Sequence, residues 1–497
     1  MESSLIHAST GEVFSYPIHR TWEFTSQHPI RSVFPLWLFY GLPMSILRSI
    51  WGGLGHDLSP ATVYWTLRCL MFTLSFVLED WALQELVHTT RQRRVAMLLV
   101  ASSYVTWTYQ THTFSNAIET LLVLWCLVLI GRIVEDKVRF LVLVLCSTTY
   151  NWQEHTGIYK CGALAFLSVL GIFNRITFPA FILLPSLQLL PHFQRKPLAF
   201  WSLILFGGLT AYFAVYVDTE FYTPTARSIR DIIFSPVITP LNNLMYNSSR
   251  NNLSRHGLHP PYQHIVANLP QLLGPAYPLV FTSSLRRSTP FISAIFGVLV
   301  LSFIPHQEAR FLIPAIPLIL SSIRLPRRFS RLWISSWVIF NVVFGMLMGT
   351  YHQGGVVPMQ SHIANVDNVS QVLWWKTYPP PIWLLDGKNE CINTHDLMGI
   401  SGDRMIQEVL AAVPCSTSAI QPNATFLVAP ASAAYIHELI VASDKPQGLV
   451  LEEKWRYQRH LNLDDIDFGG DGILPTLRRV VGRRGLVLWQ VSRQCKE

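Results

Sequence analysis

Charge is what this chain has least of. Only 14% of its 497 residues are Asp, Glu, Lys or Arg, and 50% are hydrophobic, where an average soluble domain carries roughly 25% charged residues. Apolar segments recur along most of the length, so a single globular core is excluded. Cysteine is also sparse. The seven are Cys69, Cys126, Cys146, Cys161, Cys391, Cys415 and Cys495, none in a C-x-x-C pair, which removes the paired-thiol redox and zinc motifs. Four lie in or beside apolar runs, where a buried thiol behaves as a small hydrophobe. Cys391 and Cys415 fall in a polar tail and would pair if that tail lies in an oxidising lumen. The first ten residues have no basic n-region and no apolar h-region, so they are not a signal peptide. No internal repeat is visible, which argues against a transporter built from matching halves.

What the chain does have is a succession of apolar runs, at about 61–80, 95–110, 118–131, 140–173 (interrupted), 177–192, 198–217, 269–285, 289–304, 311–323 and 332–349. These read as membrane spans, several shorter than the ~20 residues a straight crossing needs. Short basic clusters separate them: Arg91–Arg94, Arg132–Arg139, Arg195-Lys196, Arg286-Arg287 and Arg324–Arg331. The formal net charge of +8 is therefore the mark of cytoplasmic loops rather than of a nucleic-acid surface. With every cluster on the cytoplasmic side, the loop 218–268, the turn 305–310 and the tail 350–497 fall on the other side. Four Asn-x-Ser/Thr triplets, at Asn247, Asn252, Asn368 and Asn423, all lie in those segments and are the glycosylation candidates. The same parity starts residues 1–60 in the lumen and so expects a preceding span. Phe34 to Ile50, with Pro35, Pro43 and Arg48, reads as a re-entrant or interfacial element.

The expected fold class is an all-α polytopic membrane protein with a small α+β luminal domain at the C-terminus. Its segments are 1–60 (the remnant of a first luminal loop), 61–349 (the spans) and 350–497 (the luminal domain). Strand-like pieces in that domain are Thr425–Ala429 and Gly485–Val491.

The turn His306-Gln-Glu308-Ala-Arg310 between two apolar runs is the main functional candidate. Ionisable groups at a membrane edge serve a ligand or one another. Asn174-Arg175, His112 and the run from His256 to His264 lie on the same side and are candidates to join it. Arginine and histidine there suit a phosphate, since a guanidinium offers a planar fork of donors. The plainer reading of the turn is a self-contained ion pair. His256, His259 and His264 are irregularly spaced and lack Cys partners, so no metal is expected.

The stretch Pro305-His-Gln-Glu-Ala-Arg-Phe-Leu resembles the His-x-Glu-x-Arg-Phe signature of the dolichyl-phosphate-mannose-dependent mannosyltransferases of the endoplasmic reticulum. Arg31-Ser-Val-Phe-Pro-Leu-Trp, Phe173-Asn-Arg-Ile-Thr-Phe-Pro, Thr239-Pro-Leu-Asn-Asn-Leu, His256-Gly-Leu-His-Pro and Tyr351-His-Gln-Gly-Gly are similar to the fungal branch that acts on glycosylphosphatidylinositol (GPI) precursors. The resemblance implies a GT-C type glycosyltransferase, multi-pass in the endoplasmic reticulum membrane, with its active site luminal. It implies mannose transfer from dolichyl-phosphate-mannose to the third mannose of a GPI precursor in α-1,2 linkage, with two lipid-linked substrates and no cofactor. A sister enzyme acting on the third GPI mannose or on a lipid-linked N-glycan, and a catalytically dead member, are the alternatives. The family also carries a His-Pro-Asp-Glu motif in its first luminal loop that no residues here match. The catalytic residue is therefore unassigned; Glu12 and Glu23 lie in that loop. His306, Glu308, Arg310 and Arg175 are the expected substrate-binding residues. Ser147–Lys160 reads as an insertion relative to the family.

Overall fold

The computed structural model describes residues 13–14, 21–51, 58–146, 154–223, 234–254, 257–282, 288–385, 391–413, 424–433, 435–436, 448–463 and 472–493. The chain groups into two compact units. One comprises Arg20–Pro43 and Thr66–Val343; the other comprises Met1–His19, Met44–Trp65 and Phe344–Glu497.

The first unit is helical. Among the described residues, five helices in the chain are long and apolar enough to cross a membrane: Pro60–Leu86, Ser115–Glu135, Gly157–Asn174, Pro197–Tyr222 and Ser330–Tyr351. Shorter apolar helices, including Thr289–Ser302 and Ala315–Ser322, lie among the rest. The runs read as 118–131 and 140–146 are one helix, Ser115–Cys146. A second helix begins at Glu154, so the two ends of the run 140–173 lie in different helices. The basic cluster beginning at Arg132 lies inside the first helix rather than in a loop. That helix meets no proline, and Arg132 pairs with Glu85 of the neighbouring helix at 2.9 Å. Residues 147–153 of the expected insertion lie outside the described residues.

The shorter helices interlock through small residues. Thr289–Ser302 packs on Pro179–Ser186 where Gly297 leaves room for the Phe181 ring; a Cβ there would come within 2.3 Å of it. Ser293 Oγ donates to the Phe181 carbonyl at 2.6 Å on the same face. Phe34 to Trp51 is helical throughout, with a π turn at Trp37–Gly41. That turn lies just ahead of Pro43, whose missing N–H breaks the regular ladder. Leu42, Ile46, Ile50 and Trp51 are exposed along it, the pattern of an interfacial helix.

The second unit carries a five-stranded mixed sheet: β1 (Val369–Trp374), β2 (Asn393–Asp396), β3 (Ala424–Pro430), β4 (Leu449–Tyr457) and β5 (Leu486–Arg493), in the order β2-β1-β3-β5-β4. β1 runs parallel to β2 and β3, and β5 runs antiparallel to β3 and β4. The pleat sends alternate side chains to opposite faces. Leu373, Leu427, Val487 and Trp489 pack with Met405 and Val409 of helix Gly402–Ala412 on one side. Val372, Trp374, Val428 and Leu488 pack with Val356 and Met359 of helix Val356–Ile363 on the other. With both faces covered, the three central strands are apolar along their buried stretches, Val372–Trp374, Phe426–Pro430 and Leu486–Trp489. β4 lies at an edge and is charged along its exposed stretch, where Arg456 pairs with Glu453 and Lys454 with Glu452.

Candidate active site

The turn after helix Thr289–Ser302 is organised around Glu308. Its Oε1 accepts from His306 Nε2 at 2.9 Å and from Arg310 Nη2 at 2.9 Å, and the Arg310 guanidinium also faces Oε2. His306 Nδ1 lies 3.1 Å from the Gly257 carbonyl. A carbonyl and a carboxylate only accept, so both ring nitrogens donate and His306 is an imidazolium in this geometry. The hydrogen bond to Glu308 accordingly raises the His306 pKa. Burial pushes the Glu308 carboxyl up, but His306 and Arg310 more than offset it and hold it at about 2.

Gln307 stitches this turn to the segment 257–264. Its Nε2 donates to the Ser302 carbonyl at 2.8 Å, closing the helix end, and its Oε1 accepts the His264 N–H at 3.0 Å. The Gln307 N–H donates to His259 Nδ1, and the His259 N–H donates to the Pro305 carbonyl at 2.8 Å. His264 is fully buried against Asn268, and burial lowers its pKa to about 4, so this ring is neutral. The turn is thus fixed from the loop expected to approach it.

Phe311 joins this turn to Arg175. The Arg175 and Arg310 guanidinium carbons lie 5.1 and 5.8 Å from the Phe311 ring centroid, within cation–π range. Arg175 is held from behind. Its Nε lies 3.1 Å from Glu119, which has no exposure, and its Nη1 donates to Ser115 Oγ at 3.0 Å. Thr177 Oγ1 donates to Glu119 at 2.6 Å. A buried carboxylate and guanidinium are tolerable only as a pair with further hydrogen bonds, and here each has them. Asn174 Nδ2 donates to the Ser115 carbonyl at 2.8 Å, tying the end of one long helix to the start of another.

A third pair completes the group. Arg31 clasps Glu23 through both carboxylate oxygens, at 3.0 and 3.2 Å. Burial works against charge on both, yet the pairing lowers the Glu23 pKa and raises that of Arg31. Glu23 lies within electrostatic reach of Arg310 and Arg175, and Arg31 within reach of Glu119. The result is a cluster of three arginines and three glutamates, most of it half-buried.

Of the residues singled out in the sequence, His306, Glu308, Arg310 and Arg175 come together, joined by Glu23, His259 and His264. The turn's charges also pair with one another. His112 instead meets Arg68 at 2.8 Å and stacks on Phe114. Glu12, His256, Cys415 and Asn423 lie outside the described residues; Cys391 is an exposed free thiol. Asn368 is exposed just ahead of β1, and Asn247 and Asn252 are half-buried. Sequence reasoning missed Glu119, Thr177 and Asp218. An acid inside or at the end of an apolar run (Ile118-Glu119-Thr120, Val217-Asp218-Thr219) is the signal that marks the first and third. Among the described residues no three His, Cys, Asp or Glu side chains converge as metal ligands do.

The chain is similar to known proteins over nearly its whole length. The model of the Alg9-like mannosyltransferase family matches residues 11–385. GPI mannosyltransferase 4 of Aspergillus oryzae is 47% identical, covering 97% of this chain and 93% of the relative. The protein of the same name from Emericella nidulans is 46% identical, over 97% and 92%. That of Saccharomyces cerevisiae is 34% identical, over 79% and 73%. No solved structure matches significantly.

Proposed function

Because the chain belongs to the Alg9-like mannosyltransferase family, we propose that it is a GPI mannosyltransferase whose charged cluster grips the phosphate of a lipid-linked donor. The donor in this reading is dolichyl-phosphate-mannose. The acceptor is the third mannose of a GPI precursor, joined in α-1,2 linkage, at the luminal face of the endoplasmic reticulum membrane. The observation that carries the reading is the pair of guanidiniums, Arg175 and Arg310, on one aromatic ring.

The charge change of the reaction explains why such a pair is useful. A phosphodiester donor carries one negative charge. As the bond from the mannose anomeric carbon to the phosphate oxygen breaks, the leaving lipid phosphate gains a second. Groups already aimed at that oxygen stabilise the transition state more than the ground state. Arg310 and Arg175 supply the donors. Glu308 and Glu119 hold them in place, and His306 adds a positive charge to the turn. The phosphate needs no protonation to leave, so no separate general acid is demanded. The acceptor hydroxyl must pass its proton to a carboxylate as it attacks. The resemblance gives that role to an aspartate of the first loop, the loop to which Glu23 and Arg31 belong.

The test is Arg310→Ala in membranes expressing the full-length protein in a strain lacking the corresponding transferase. Labelled dolichyl-phosphate-mannose would be supplied and label in the GPI precursor counted. Removing one preorganised donor costs about 100- to 1,000-fold in rate. Near-normal transfer at normal protein level would overturn the assignment.

A further inference from the structure

Residues 29–33 of the first loop, with Phe34 that opens the following helix, form a strap, and each of the six is held by a side chain from elsewhere or through its own. Asn242 Nδ2 donates to the Pro29 carbonyl at 3.0 Å, and Asn243 Nδ2 to the Ile30 carbonyl at 3.1 Å. The Tyr222 hydroxyl donates to the Arg31 carbonyl at 2.6 Å. The next three residues reverse the polarity: Ser32 Oγ, the Val33 N–H and the Phe34 N–H all donate to Asp218 Oδ1, at 3.0, 2.8 and 3.3 Å. Asp218 Oδ2 accepts from Thr239 Oγ1 at 2.7 Å. Backbone groups buried away from water must find partners, and here the partners come from the end of helix Pro197–Tyr222 and from helix Thr239–Ser248.

Asp218 has no solvent exposure, so it touches neither substrate nor water. A buried carboxylate is expensive unless fully hydrogen-bonded. Its four donors come from the first loop and Thr239, not from its own helix. Three of the four belong to the strap, so the acid serves it. The strap in turn carries Arg31, whose guanidinium clasps Glu23 beside the Arg175–Glu119 and Arg310–Glu308 pairs.

We propose that Asp218, Tyr222, Asn242 and Asn243 form a positioning clamp that fixes the strap 29–34 and so holds the Arg31–Glu23 pair in register with the phosphate-binding cluster. This rests on the reading of that cluster as the donor site. It assigns a task to Asn242 and Asn243 in the segment Thr239-Pro-Leu-Asn-Asn-Leu, which plays no part in the chemistry above.

Two measurements on the purified full chain in nanodiscs test it. Hydrogen exchange of the peptide spanning 29–34 reports the strap directly, and donor kinetics report the site. In Asp218→Ala the Val33 and Phe34 amides lose a charged acceptor, and their exchange quickens by at least about tenfold. Misplacement of this kind lowers turnover by about 100-fold. Asp218→Asn, which keeps an accepting oxygen, recovers most of both. The pair Asn242→Ala with Asn243→Ala repeats the test from the other end of the strap, should Asp218→Ala fail to fold. Unchanged exchange at 29–34 in both variants overturns the clamp. Faster exchange with undiminished transfer, while Arg310→Ala is inactive, shows a strap that does not serve the site and overturns the positioning role alone. If Arg310→Ala is itself fully active, the reading of the cluster falls instead.

Discussion

The His306–Glu308–Arg310 turn has a defined pH window. Glu308 is depressed to about 2, so its contribution is complete above its unfolded value of ~4.3 and is lost as pH falls through about 2. His306 is raised, so its contribution is complete below ~6.5 and is lost as pH rises through the higher folded value. The turn is tightest between those limits and loosens on the alkaline side. We therefore expect an alkaline fall in transfer rate, setting in above the ordinary imidazole value of ~6.5, that His306→Asn removes, leaving a lower and flatter profile; an identical fall in the variant would assign the titration elsewhere. The turn was legible in the sequence because three ionisable groups interrupt an apolar stretch. Arg175 was legible too, at the end of a run. Glu119 carries the same signal, an acid at the edge of an apolar run, but its role shows only when its distant partner, Arg175, is seen against it.

At the scale of elements, the helices that bear the cluster are held by close contacts at small residues. Gly297 faces the Phe181 ring so tightly that even a methyl group requires the ring to shift. Overpacking of this sort costs about 1–3 kcal/mol. Gly297→Val should lower the thermal midpoint of the detergent-solubilised protein, measured by fluorescence-detected size exclusion. Gly208→Val serves as the control, because a Cβ at Gly208 would meet nothing within 4 Å; an equal drop in both variants would remove the Phe181 contact as the cause. Most apolar runs were legible as helices from hydropathy alone. The joining of 118–131 to 140–146 was not, because a basic cluster normally marks a loop, whereas here a helix continues through it. The π turn at Trp37–Gly41 was equally hidden, since hydropathy reads Phe34 to Ile50 as one apolar stretch whatever its hydrogen-bond register.

At the scale of the whole molecule, two strands of the C-terminal domain, β3 and β5, were visible as Val/Leu-rich pieces, and β1, β2 and β4 were not. β2, with the sequence Asn-Thr-His-Asp, carries no strand signal and is recruited by pairing with β1. If the C-terminal domain is luminal, Asn368, exposed ahead of β1, should carry a glycan, so that endoglycosidase treatment shifts the wild-type band and a smaller shift remains in Asn368→Gln. An Asn368→Gln band with the wild-type mobility would leave that triplet unused. Among the described residues no strand pairs with the outer side of β4, and such a border invites strand addition from a neighbouring chain. Its Glu–Lys–Arg row lines that border with charged side chains that an added strand would have to desolvate. The domain can therefore be crowded beside others of its kind on one membrane without seeding a cross-chain ribbon.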